Sequence, residues 1–153
     1  MKRIEPMNHK QSLEILNKVH FFDVFSGEEK DILTGLHSHF FVTKKGERVI
    51  RQGGSDDSFF VILTGSVYVR KEGSKKVLAR LKPGDIFGEV SFLTGSKRTT
   101  SVVAEATTIV FEIDKPTLKF LDPAIREKLK DNIIKVLVQR LDFMNKQVLA
   151  LSA

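Results

Sequence analysis

The stretch that decides the fold is Phe87-Gly-Glu-Val-Ser-Phe-Leu-Thr-Gly-Ser-Lys-Arg-Thr-Thr-Ser-Val102. It contains Gly88, a carboxylate at Glu89, a short apolar run, a turn at Gly95-Ser96 and a single Arg98, and a strand-like segment follows. This order predicts a short helix that starts directly behind a glycine, with one cation returning toward the start of that helix. Free N–H groups at a helix start attract anions, and the arginine fork matches phosphate oxygens.

The carboxylate of Glu89 is unexpected in a simple phosphate site, because it would repel the ligand. It makes sense if the ligand also offers a hydroxyl donor, such as a ribose 2′-OH, as in dinucleotide folds. Two alternatives stay open at this point. In the first, the stretch is an ordinary helix and turn between two strands. In the second, Glu89 and Arg98 form a surface ion pair that contributes under about 1 kcal/mol to stability.

Residues 87–102 resemble the phosphate-binding cassette of the cyclic nucleotide-binding domain family, F-G-E-[LIV]-[AS]-[LF]-x-x-x-x-x-R-[TSA]-[AT]-[TS]-V. The residues that fall on the family's positions are Gly88, Glu89, Arg98, Thr99, Ser101 and Val102. The glycine-punctuated run that includes Gly46, Gly54 and Gly65 is similar to the roll of the same family. The resemblance implies that the protein is a cyclic nucleotide-binding regulatory module.

The resemblance also implies roles for residues of the cassette. Arg98 would hold the exocyclic oxygens of a cyclic phosphate, and Glu89 would accept from the ribose 2′-hydroxyl. Gly88, Val90, Ser91 and Thr99 would complete the cradle. A hydroxyl at Thr99 can contact guanine but also occurs in family members that bind cyclic AMP, so it discriminates only weakly between the bases. We expect cyclic AMP, or else cyclic GMP, as the ligand.

Further ligand contacts implied by the resemblance lie outside the cassette. Val69, Leu78 and Ala79 align with apolar walls, although plain core is an equal interpretation for strand residues. Arg140 and Asn145 fall near positions that approach the ribose-side carboxylate and the base edge. A solvated arginine is the alternative for Arg140.

The composition is that of an ordinary globular domain, with 153 residues, 41% hydrophobic and 29% charged. Cysteine is absent, which excludes disulfides and Cys-ligated metal sites. The net charge of +6 comes from scattered basic residues, so we expect a solvated surface, attraction for an anionic ligand and no nucleic-acid binding. No apolar run reaches the roughly 18–20 residues that span a bilayer, and no signal peptide is visible. We therefore expect a cytoplasmic protein with no membrane association.

The order of elements predicts an antiparallel β-roll (a jelly-roll, mainly β) with N-terminal helices and a long C-terminal helix. Ser26 and Glu29 form a capping box that predicts a helix over 27–36. Asp122 and Pro123 start a helix that runs to about residue 149. We expect an N-terminal helical segment at 1–38, the roll at 39–114 and a helical segment at 115–153, in one domain. The predicted strands are 40–43, 49–51, 59–63, 66–70, 77–81, 101–104 and 108–113.

The C-terminal helix carries two apolar stripes. One is a heptad seam suited to a partner helix, which favours a homodimer, although a single broad core-facing stripe in a monomer is the alternative. The other stripe can pack on the roll. The seam residues are Ile134, Leu137, Leu141, Met144, Val148 and Leu151, and the second stripe is Leu129, Ile133 and Val136.

No enzymatic constellation is evident. His37-Ser-His39 resembles the His-x-His of metal-binding cupins, but Glu47 is too distant and no histidine follows His39, so we expect no metal site. Asp56 and Asp57 lie in a Gly-Ser turn, where we expect them to be solvated.

We therefore expect a regulatory module without catalytic activity that couples cyclic nucleotide binding to rearrangement of its C-terminal helix and passes the signal to an effector protein. Two alternatives remain. One is a fragment or divergent member of a catabolite-activator-type transcription regulator without its helix-turn-helix. The other is an interaction scaffold that binds no ligand.

Overall fold

The computed structural model describes residues 2–3, 8–36 and 39–152. The strands are β1 (Lys2–Arg3), β2 (Phe40–Thr43), β3 (Arg48–Ile50), β4 (Phe59–Thr64), β5 (Val67–Arg70), β6 (Ala79–Leu81), β7 (Ile86–Phe87), β8 (Ser101–Ala104) and β9 (Thr108–Ile113). The helices are α1 (His9–Asn17), α2 (Gly27–Thr34), α3 (Glu89–Thr94), α4 (Lys115–Phe120) and α5 (Pro123–Ser152), with a 3-10 turn at His20–Phe22.

The strands form two antiparallel sheets. The first has the order β1-β2-β9-β4-β7 and the second the order β3-β8-β5-β6. In the first sheet Phe40 lies opposite Phe111, and Val61 pairs with both Phe111 and Ile86. In the second sheet Val69 lies between Ala79 and Val102. The stretch 87–102 therefore leaves the first sheet at β7 and enters the second at β8.

Strand β4 is buried on both faces, which explains its unbroken apolar run. Phe59, Val61 and Leu63 belong to a cluster shared with α1, α2 and α5. Phe60 and Ile62 alternate with them and belong to a second cluster between the two sheets. Because side chains alternate along a strand, the first sheet is a layer between the helices and the second sheet.

The predicted β-roll with flanking helices is confirmed, although the helices hold more residues than the strands because α5 alone has 30. Strands β2, β8 and β9 have the predicted bounds. The capping box is confirmed, since the backbone of Ser26 donates to Glu29 at 2.8 Å, but α2 ends at Thr34 rather than at residue 36. Helix α4 lies inside the predicted helical segment 115–153 but was not predicted as a separate helix, and the two-residue strands β1 and β7 were missed. The proposed division at residues 38 and 114 stays a prediction.

Helix α5 has the predicted roll-facing stripe. Leu129 and Ile133 are buried, and Val136 packs against the same cluster at partial exposure. The predicted seam is exposed on this chain except for Leu137, which is partly buried against the core. Within the described ranges, no helix combines the length and apolar character needed to cross a bilayer.

The turn between β4 and β5 depends on a glycine, and we predict that Gly65→Ala destabilises the fold by about 3 kcal/mol or more. Gly65 has a φ of +85°, and a Cβ there would lie 2.4 Å from the backbone oxygen of Thr107. The matched control is Gly73→Ala, since Gly73 has a φ of +82° with no atom within 4 Å of a Cβ. That control should lose only about 1–2 kcal/mol from the strained backbone. Equal losses for both variants in urea unfolding would contradict the steric explanation.

Candidate ligand-binding site

Gly88 positions helix α3. It adopts a left-handed conformation at φ +81° and is the N-cap of α3 (Glu89–Thr94), as the sequence predicted. A Cβ at this position would lie 2.8 Å from the backbone oxygen of Ser58 and 3.0 Å from Nη1 of Arg98. Glycine is therefore needed here for both its φ angle and its lack of a side chain.

Arg98 is a buried cation, with 4% of its surface exposed. Its Nη1 donates to the backbone oxygen of Gly88 at 2.9 Å, so the cation does return to the start of α3. Its Nη2 donates to the backbone oxygen of Ser58 at 2.6 Å and to Oδ2 of Asp56 at 2.9 Å. Three of the five guanidinium N–H groups are used in this way, and the Nε, which is itself buried, has no hydrogen-bond partner among the described residues.

Glu89 is buried and is bonded to helix α5. Nη1 of Arg140 donates to Oε1 of Glu89, and Nη2 of Arg140 donates to the backbone oxygen of Ile86. The side chain of Glu89 is 7% exposed and that of Arg140 is 36% exposed. Glu89 and Arg98 thus have separate partners, so the alternative of a surface ion pair between them is wrong.

These groups line one cavity of about 280 Å³. The volume is near the lower end of the roughly 300–1,000 Å³ typical of small-molecule sites. Charged and polar groups come from the cassette and α5, and apolar walls come from β3, β5, β6 and β8. The lining residues are Ile50, Val69, Ala79, Leu81, Ile86, Phe87, Gly88, Glu89, Val90, Ser91, Arg98, Thr99, Thr100, Val102 and Arg140.

Nine of the eleven residues predicted to contact ligand line this cavity, and two do not. Leu78 precedes β6, and its side chain is 51% exposed although its backbone pairs with Val69. Asn145 lies in the part of α5 where residues 141–152 are all exposed. Phe87 and Val102 are the first and last residues of the cassette, so the cassette pattern itself could have indicated that they line the cavity. The lining residues that were not predicted from the sequence are Ile50, Leu81, Ile86, Phe87, Thr100 and Val102.

Asp56 requires a correction. We expected it to be solvated in its turn, but it forms an ion pair with Arg98 while its own side chain stays 55% exposed. Asp57 pairs instead with Lys115 at 3.2 Å. Asp56 and Arg98 are separated by 42 positions in sequence, so no local pattern indicates this pairing.

The arrangement is suited to binding an anion that also carries a hydroxyl donor. Arg98 and the N-terminal N–H groups of α3 lie on the same cavity as the carboxylate of Glu89. A hydroxyl can donate to that carboxylate, and anionic oxygens can accept from the guanidinium and the N–H groups. The apolar side chains that line the rest of the cavity suit a planar or hydrophobic part of the ligand.

Comparison with solved structures gives the same fold. A cyclic nucleotide-binding domain from Methylobacillus flagellatus KT is 26% identical with a TM-score of 0.75, and the match covers 93% of this chain and 83% of that one. PfPKA-R with cAMP bound is 25% identical with a TM-score of 0.63, over 86% of this chain and 46% of that one. The catabolite activator protein of Thermus thermophilus is 24% identical with a TM-score of 0.68, and the match covers 86% of this chain and 62% of that one. The chain thus spans less than two thirds of the length of each of the last two proteins.

A family model adds direct evidence from the sequence. The model described as "Cyclic nucleotide-binding domain" matches residues 41–121, which is more than half of the 153 residues. The match covers strands β3 to β9 and the whole cassette. No curated protein matches the chain. The family match and the shared fold place this chain in the cyclic nucleotide-binding domain family, whose fold is that of a regulatory binding module.

Proposed function

We propose that the protein is a non-catalytic regulatory module that binds cyclic AMP, with cyclic GMP as the competing ligand. The observation that carries the proposal is the pair of buried charges, Glu89 and Arg98, on one cavity beside the start of α3. Arg98 and the α3 N–H groups would hold the cyclic phosphate, and Glu89 would accept from the ribose 2′-hydroxyl. The similar structure of PfPKA-R has cAMP bound, which supports cyclic AMP as the first ligand to test.

The first prediction concerns Arg98. Arg98→Lys should weaken cyclic AMP binding about 30-fold or more, because lysine cannot reproduce the guanidinium fork and truncating a buried charge partner costs about 2–5 kcal/mol. Isothermal titration of the wild type and the variant with each cyclic nucleotide measures the change.

The matched control for Arg98 is Arg80→Lys. Arg80 also pairs with a carboxylate, Glu105 at 3.0 Å, but its side chain is 65% exposed and it does not line the cavity. That control should bind like the wild type. Thermal unfolding of each variant shows whether it is folded. If wild-type protein gives no heat with either nucleotide at millimolar concentration, the proposed function is wrong.

The same site provides a route from ligand to helix α5. Arg140 of α5 bonds to Glu89 and to the backbone of Ile86, so a ligand hydroxyl on Glu89 would act on the ion pair that holds α5. A ligand can shift the position of α5 only by binding its two arrangements with different affinity. We infer that the Glu89–Arg140 pair supplies that difference, and that α5 passes the signal to an effector protein.

Arg140→Gln should uncouple α5 from the ligand. In wild-type protein we expect cyclic AMP to change amide hydrogen exchange both in the cassette and in α5 around residue 140. In the variant the cassette should still respond and α5 should not. Arg126→Gln is the control, since Arg126 lies on α5 but away from the cavity. An α5 response in Arg140→Gln equal to that of the wild type would contradict the proposed route.

We also propose that α5 forms a homodimer through its seam. Leu141, Met144 and Val148 are each exposed by 57% or more, and such a row of apolar side chains is typical of a helix that pairs with another. The neighbouring Val138, Phe143 and Leu149 are also exposed and broaden this apolar surface. In such a dimer the two α5 helices, which we propose pass the signal to the effector, would lie side by side.

Val148→Glu should shift the protein from dimer to monomer, because a carboxylate in an apolar seam must be desolvated. The control is Gln139→Glu, which adds the same charge at an exposed α5 position outside the seam. Sedimentation equilibrium measures the mass of both variants and of the wild type. A monomeric wild type at micromolar concentration, or a dimeric Val148→Glu, would contradict the proposed seam.

A further inference from the structure

The sheet register brings together three side chains that are far apart in sequence. Glu112 and Asp114 are two residues apart around the end of β9, a spacing that places side chains on the same face of an extended chain. His39 precedes β2, where Phe40 pairs with Phe111, so the pairing continues toward His39 and Glu112. A ring nitrogen of His39 and one carboxylate oxygen from each acid lie within 4.8 Å of one another.

His39 is held in an orientation suited to a metal ligand. Its Nδ1 lies 2.9 Å from the backbone oxygen of Glu112, which can only accept, so Nδ1 carries the proton in that hydrogen bond. In the neutral ring, Nε2 then carries the lone pair and accepts from the hydroxyl of Thr117 at 3.2 Å, a hydrogen bond that a metal ion at Nε2 would replace. A backbone carbonyl that fixes the tautomer from behind is the usual support of a metal-binding histidine.

The two carboxylates also retain oxygens for a cation. Oδ1 of Asp114 accepts from the backbone of Thr117 at 2.8 Å as the N-cap of α4, which leaves Oδ2. The side chain of Glu112 is only partly exposed, and its carboxylate makes no hydrogen bond or ion pair with any residue that the structure describes. Two neighbouring carboxylates with one imidazole form a ligand set that suits a divalent cation better than an anion.

We propose that His39, Glu112 and Asp114 bind a divalent transition metal, with Zn²⁺ as the expected ion. One imidazole nitrogen and two carboxylate oxygens suit zinc, whose ligands lie about 2.0–2.2 Å from the ion. The hard ions Mg²⁺ and Ca²⁺ prefer all-oxygen sets and should bind far more weakly. The expectation that no metal site exists rested on the lack of a nearby glutamate and of a later histidine, whereas the end of β9 supplies two carboxylates from more than seventy residues away.

The site would join the start of β2, the end of β9 and the first turn of α4. Asp114 caps α4, which leads directly into α5. A metal bound only by the folded chain stabilises it by mass action, so zinc should raise the unfolding temperature. This effect does not involve the nucleotide cavity and needs no cyclic nucleotide.

The test is isothermal titration of Zn²⁺ into chelator-treated wild-type protein and variants, with thermal unfolding in parallel. We expect one site per chain, a higher unfolding temperature with zinc, and affinity weakened at least ~10-fold in His39→Gln and in Glu112→Gln. His20→Gln is the control, because His20 also contacts a carboxylate, Asp23, but its side chain is 89% exposed. That control should retain wild-type zinc affinity.

Each other outcome would overturn the proposal. Wild-type zinc affinity in both site variants would place the metal elsewhere, and equal weakening in His20→Gln would indicate adventitious surface binding. Glu112→Gln preserves the size of the side chain and the backbone contact to His39, so it tests the site even if His39→Gln does not fold. Zinc binding at this site is measured without nucleotide and therefore stands or fails separately from the proposed function.

Discussion

The buried guanidinium of Arg98 is the interaction on which the rest of the site depends. A buried charge is costly unless it is paired and hydrogen-bonded, and Arg98 is bonded to two backbone carbonyls and one carboxylate. The carbonyl of Ser58 lies just before β4, and that of Gly88 belongs to the N-cap residue of α3. One side chain therefore holds the cassette against the central sheet.

The two ion pairs determine which anion fits best. Arg98 is balanced by Asp56, and Glu89 is balanced by Arg140, so the four groups together carry no net charge. The remaining attraction comes from the N–H groups at the start of α3. That attraction is proportionate to the single charge of a phosphodiester. A doubly charged phosphate monoester would carry a second charge into the cavity without a second cation to balance it.

Much of the fold could be predicted because its signals are local. The helix behind Gly88 follows from a glycine, a carboxylate and an apolar run within a few residues, and the capping box at Ser26 and Glu29 is equally local. The ion pair of Asp56 with Arg98 and the His39–Glu112–Asp114 cluster could not be predicted. Both depend on how strands pair in the sheets, and each joins residues that are 40 or more positions apart in sequence. Strand β7 was missed because two residues carry no periodicity.

Helix α5 is long enough that a small rotation beside the cavity would give a larger displacement at its tip. Its first turns are anchored by Ile125, Leu129 and Ile133, whereas residues 141–152 are all exposed. Arg140 is the last residue of α5 with partial burial, so the Glu89 contact lies where the helix leaves the roll. At 1.5 Å per residue, the exposed part extends about 18 Å beyond that point. A rotation of roughly 10° about Arg140 would therefore move the tip of α5 by about 3 Å, and a partner helix paired along the seam would have to follow.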